Sequence, residues 1–160
     1  MDDLEFLEEQ LESKNIHIDY RRVEGLDGLY SLCADGHEVI AVAPDLTRNK
    51  KTAVAYHEAG HKYAGISGCR AKDEKAAEKW AAYQLLELKN IIYAVIKSGC
   101  RNLYELAEVI NVDEDFLKNG LKRLSEIHGE HVEMDDHVVN FCPFIIYDRL
   151  TMQMWPEACN

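Results

Sequence analysis

The stretch Tyr56-His57-Glu58-Ala59-Gly60-His61 sets two imidazoles four residues apart, with a glutamate after the first, in the spacing His-Glu-x-x-His. On a helix, residues four apart stand one turn above each other on one face, so both rings can reach one metal ion. Glu58, beside the first ligand, can then face a water held by that ion. Zinc brings such a water's pKa to about 7, and a carboxylate can take its proton and later pass it to a leaving amine. That is the chemistry of amide hydrolysis. The plainer use of the same residues is a pair of hydrogen-bonded core histidines. Val54, His57, His61 and Ala64 share a face, which would turn the histidines toward the interior with the helix's apolar side.

A zinc site needs a third protein ligand. The next helix-forming stretch offers Glu74, with Glu78 one turn later on the same face. In this Glu-x-x-x-Glu spacing Glu74 can coordinate while Glu78 accepts the free N–H of a ligand histidine. Asp73 competes with Glu74 for the ligand role. An Asp73-Glu74 pair at a helix start is also ordinary compensation of the helix dipole, so the two stretches together say more than either alone. A peptidase further needs a donor for the oxyanion of its transition state. Tyr56, Tyr63, Tyr83, His137 and Arg149 all qualify by type, and spacing does not choose among them. The strand His37–Val42, just before the motif, offers an edge on which an extended peptide could add itself as another strand.

These residues must be positioned by the elements around them. Leu4, Leu7 and Leu11 recur at helical spacing, with Asp2 or Asp3 able to cap, which predicts an amphipathic helix to about residue 13. Ile16–Tyr20, Gly28–Leu32 and His37–Val42 read as strands, the last two joined by the hairpin signal Asp35-Gly36 and the last closed by Pro44. Two helices rich in Ala, Lys and Glu follow, from about Thr47 to Ala64 and from about Lys72 to Leu88. Three shorter helical patterns, Asn90–Lys97, Leu103–Ile110 and Asp113–Ile127, are separated by Ser98-Gly99 and Asn111. His131–Tyr147 reads as extended, turning at Asp135-Asp136, with Val138, Val139, Phe141, Phe144 and Ile146 as core. The expected class is α+β: a small, largely antiparallel sheet on two central metal-binding helices, then a helical part and a final extended segment. We expect one domain over residues 1–160, with the sheet and zinc-site helices in 1–88 and the helical extension in 89–160.

The composition bounds what such a chain can do. In 160 residues, 18 Lys and Arg face 29 Asp and Glu, for a net charge of −11. The excess is even, −5 over residues 1–86 and −6 over residues 87–160, so there is no basic lobe to hold phosphates and nucleic-acid binding starts as a poor expectation. Apolar residues make up 47 %, enough for a core. The longest apolar run, Ile91–Ile96, falls far short of the roughly 20 residues that cross a bilayer. The start Met1-Asp2-Asp3-Leu4-Glu5 lacks a secretory pattern, and the expected location is the cytoplasm. Cys33, Cys69, Cys100, Cys142 and Cys159 are odd in number and far apart, which favours buried or idle thiols over a metal or redox pair.

His57-Glu58-Ala59-Gly60-His61, followed by Glu74-Lys75-Ala76-Ala77-Glu78-Lys79-Trp80-Ala81 and the pair Leu85-Leu86, resembles the ImmA/IrrE family of metallopeptidases of bacteria and mobile elements. That family pairs its histidine motif with a helix of the form Glu-x-x-Ala-Asn-x-Phe-Ala ending in Leu-Leu. In this match Glu74 falls on the glutamate ligand, Ala77 on the alanine and Trp80-Ala81 on the Phe-Ala pair. The close match covers residues 53–86. Two departures stand out: Glu78 replaces the frequent Asn or Asp, and Leu85-Leu86 leads into Glu87-Leu88, with the helix running on, where the family has Met-Pro. The resemblance implies a zinc fold similar at its centre to thermolysin-like peptidases. It also implies site-specific cleavage of a repressor-like, helix-turn-helix regulatory protein.

Leu103–Leu117 itself resembles a helix-turn-helix, yet Asn102–Ile127 holds six acids against Lys118, Lys122 and Arg123, and Asp113-Glu114-Asp115 opens the helix that would face DNA. A helical pair packed beside the core or docking a protein partner fits better. Arg48, Lys50 and Lys51 read as a solvated helix start. The expectation is a zinc endopeptidase with ligands His57, His61 and Glu74, general base Glu58 and supporting Glu78. Its rival is a metal-dependent regulatory or interaction module that cuts no bond.

Overall fold

The computed structural model describes residues 2–156, so Cys159 lies outside the described residues. The chain divides into two compact units, Met1–Ala81 and Ala82–Asn160. The α+β class is as expected.

In the first unit, α1 (Asp3–Glu12) starts at a capping box: the Asp2 carboxylate accepts from Glu5 N–H while the Glu5 side chain accepts from Asp2 N–H. Its Leu4, Leu7 and Leu11 are buried, each a side chain whose burial contributes about 1.5–3 kcal/mol. Three strands follow, β1 (Ile16–Asp19), β2 (Gly28–Leu32) and β3 (Glu38–Val42), in the order β1-β3-β2. The Asp35-Gly36 turn joins β2 and β3 antiparallel, with Gly36 at φ 87°. β1 pairs with β3 in parallel, so this sheet is mixed. β3 is therefore central and paired on both sides, and it cannot offer the free edge expected of His37–Val42. The edges are β1 and β2, because β1 pairs on the side of β3 away from β2, a long-range choice with no local signal.

Next comes α2 (Arg48–Ala64), capped by the Thr47 side chain and stopped at Gly65, where φ is 81°. It packs on β2 and β3. α3 (Arg70–Leu85) packs across it: a Cβ on Gly60 would lie 2.6 Å from the Ala77 carbonyl oxygen and 2.8 Å from Ala77 Cα, so only glycine allows this approach. Trp80 locks the crossing by stacking on Tyr63 at 4.9 Å and Tyr56 at 6.1 Å.

The helix does not run on to Leu88. It ends at Leu85, and α4 (Leu88–Ser98) starts anew after Glu87, whose φ −70° and ψ 116° are extended. Neither Gly nor Pro marks this break, and Glu87 forms no side-chain cap bond. In the second unit α5 (Leu103–Val109) and α6 (Glu114–His128), capped by Asn102 and Asp113, are joined through Asn111 at φ 55°. An antiparallel sheet of β4 (His131–Met134), β5 (His137–Phe141), β6 (Phe144–Asp148) and β7 (Met154–Trp155) completes it in chain order. Its core gathers Ile91, Leu106, Leu117, Leu124, Val139 and Ile146, while Val138 and Phe144 are only half-buried. β7 has no counterpart in the sequence reading. Among the described cysteines Cys100 is buried and Cys33, Cys69 and Cys142 are exposed. No helix among the described residues is long and apolar enough to cross a membrane.

Candidate metal centre

The motif histidines leave α2 one turn apart, with ring centroids 4.9 Å apart and planes at right angles. Their Nε2 atoms converge on one oxygen of α3: Glu74 Oε2 lies 3.2 Å from His57 Nε2 and 3.7 Å from His61 Nε2. A tetrahedral ion with bonds of about 2.0–2.1 Å spaces its ligand atoms by about 3.3 Å, so two neutral imidazoles and a carboxylate at these separations fit a divalent cation. Among the described residues this is the one group of three or more His, Cys, Asp or Glu side chains close enough to share an ion. The Gly60–Ala77 contact sets the geometry, since Glu74 stands three residues before Ala77 on the helix that this contact draws in.

The histidine face is not the buried face of α2. Ala55, Tyr56 and Ala59 are buried, whereas His57 and His61 are half-buried and Ala64 is exposed. With so many alanines, the helix has no strong apolar stripe to orient it, and the sheet and Trp80 decide which side closes. A partly open histidine face suits a ligand site better than a core pair.

Glu58 is 8 % exposed and turned toward β2. Its Oε2 accepts the Tyr30 N–H at 2.8 Å. Gly28 permits this, because a Cβ there would fall 2.9 Å from Glu58 Cγ and Oε1 and 2.4 Å from Val54 Cγ1. Burial pushes the Glu58 carboxyl above its usual range, against the opposing pull of His57, Tyr30 N–H and His61. Tyr30 is held at its other end too: its hydroxyl donates to Glu38 Oε1 at 2.9 Å, and the same oxygen pairs with Lys62 Nζ. Burial and then Glu38 push the Tyr30 phenol up to about 12. The Lys62 ammonium holds Glu38 below the usual carboxylate range.

Asp73 has a different task from Glu74. Its Oδ1 accepts from Ser67 N–H at 2.8 Å and Ser67 Oγ at 2.6 Å, and its Oδ2 from Gly68 N–H at 3.2 Å, fastening the loop before α3. Glu78 is half-buried one turn after Glu74. Of the oxyanion candidates, Tyr56 is buried and gives its hydroxyl to Asp3 O at 3.1 Å, and Tyr63 Oη accepts from Lys14 Nζ at 3.0 Å. Tyr83, His137 and Arg149 belong to the second unit, where Tyr83 is exposed, His137 stands 3.8 Å from Asp148 and Arg149 pairs with Glu133 at 2.8 Å. Arg48 is an ion-paired residue, bound to Asp2 at 2.6 Å.

Sequence reasoning missed Gly28, Tyr30 and Gly60. The two glycines carried a signal: an isolated Gly in a strand marks close backbone approach, and one inside a helix pattern costs about 1 kcal/mol against Ala and so asks for a packing reason. The chain matches no family model, and no match to a curated protein or a solved structure was found.

Proposed function

We propose that this chain is a zinc-dependent endopeptidase of the ImmA/IrrE kind, acting in the cytoplasm on a repressor-like protein. The observation that carries the reading is the convergence of His57 Nε2, His61 Nε2 and Glu74 Oε2, with a buried glutamate between the two histidines in sequence. A zinc ion held by those three would supply a Lewis acid that makes water a nucleophile near neutral pH and polarises a carbonyl. Glu58 then serves as the proton carrier. Tyr30 N–H fixes Oε2, leaving Oε1 to take the proton of the attacking water and deliver it to the leaving amine. Glu78 supports a ligand histidine in this reading. An extended substrate would meet β2 rather than β3 as its neighbouring strand. An acidic chain suits a basic partner and poorly suits direct DNA contact.

One observation favours the rival, a metal-dependent interaction module. Glu58 has a structural use, since its bond to Tyr30 N–H ties β2 to α2. Glu58→Gln separates the two, because the amide oxygen still accepts that N–H but cannot carry the proton. The peptidase reading expects wild-type melting and metal content in Glu58→Gln with cleavage of a fluorogenic peptide library lowered at least about 100-fold. No cleavage by the zinc-loaded wild type would leave the interaction module, and equal cleavage by both proteins would remove Glu58 as the proton carrier.

A further inference from the structure

We infer that Tyr30, Glu38 and Lys62 form a clamp that positions Glu58, an inference that rests on the peptidase reading. The four side chains and one backbone N–H close a ring across three elements. Lys62 follows Glu58 by four residues, so the two stand one turn apart on the same face of α2. Tyr30 on β2 lies opposite Ile40, which makes Glu38 on β3 its diagonal neighbour on the same face of the sheet, within reach of a long side chain. The ring then runs from Glu58 Oε2 to Tyr30 N–H, along the tyrosine to its hydroxyl, to Glu38 Oε1, to Lys62 Nζ and back along α2 to Glu58. None of the three is hydrogen-bonded or ion-paired to His57 or His61. They are positioning residues: Lys62 and Tyr30 bind a single Glu38 oxygen, which fixes where β2 stands over α2. That in turn fixes the N–H on which Glu58 rests. Glu38 and Lys62 are both partly covered, 16 % and 35 % exposed, so solvent does not simply loosen the pair.

The test uses Tyr30→Phe, Lys62→Met and Glu38→Gln, the last keeping an acceptor for both partners. The first readout is independent of activity: the amide proton of position 30 in a 15N-labelled, zinc-loaded chain. A bond to a carboxylate shifts it downfield, and it should move upfield in Tyr30→Phe and Lys62→Met but stay near its wild-type place in Glu38→Gln. The second is cleavage of the best substrate from the peptide library. The clamp predicts kcat lowered about five- to tenfold in Tyr30→Phe and Lys62→Met with KM unchanged, non-additive in the double variant, and mostly restored in Glu38→Gln. Unchanged kcat and amide shift in the folded, metal-loaded variants would overturn the clamp alone. A wild type that cleaves nothing while the amide shifts behave as described would overturn the peptidase reading instead.

Discussion

Gly60→Ala is the substitution through which the fold and the metal centre can be tested together. A methyl group there would meet Ala77 O at 2.6 Å and Ala77 Cα at 2.8 Å, both backbone atoms that no rotamer change can remove. To reach 3.4 Å, where ordinary contact begins, α3 must retreat by about 0.8 Å, and Glu74 retreats with it. Ligand atoms tolerate only about 0.2 Å of displacement, so metal affinity should fall at least tenfold, a rough figure of the size seen when ligand support is lost. Overpacking costs about 1–3 kcal/mol, and Ala offsets about 1 kcal/mol of it through helix propensity. The net is a loss of up to about 2 kcal/mol, or up to about 8–16 °C in melting for a unit of this size. Gly120→Ala is the control. Its methyl would meet Leu86 Cδ1 at 2.3 Å, the end of a side chain that can rotate away, so it should leave zinc binding intact. The assay is thermal unfolding by circular dichroism together with zinc titration against a chromophoric chelator. A Gly60→Ala chain that melts at or above the wild-type temperature and binds zinc equally well would show that the Gly60–Ala77 contact does not hold Glu74 in place.

Glu74→Ala should abolish zinc binding, whereas Asp73→Ala should keep it while losing about 1–2 kcal/mol from the loosened Ser67–Gly68 loop, and zinc titration of both would expose the reverse assignment. Acid should act through Glu38. Its carboxyl is depressed by Lys62, so its contribution is fully present above the unfolded value of 4.5 and disappears as pH falls through the lower folded value. Melting curves between pH 6 and about pH 3 should therefore show a shallower acid loss in Glu38→Gln than in wild type, and parallel curves would remove Glu38 from the account.

Much of the site was legible because its signals are local. Two histidines at helical spacing and a glutamate at the start of the next helix need only helix geometry, and α1 was announced by three leucines behind Asp2 or Asp3 as the cap. What escaped was long-range. The Asp35-Gly36 turn revealed the β2–β3 hairpin, but nothing local told β1 to pair in parallel on the far side of β3, so the edge was placed on the wrong strand. The histidine face was assigned inward because an alanine-rich helix gives no strong stripe, and tertiary packing chose otherwise. The break at Leu86-Glu87 has neither glycine, proline nor cap bond to mark it. Tyr30 could not be found at all from residue type, since what holds Glu58 is its backbone.

The central claim is that His57, His61 and Glu74 hold a metal. Elemental analysis of the chain purified without chelators or a histidine tag, beside His57→Ala/His61→Ala, tests it most directly. The account predicts about one zinc per wild-type chain and none in the double variant. A wild-type chain without metal, even after zinc is added back, would contradict it.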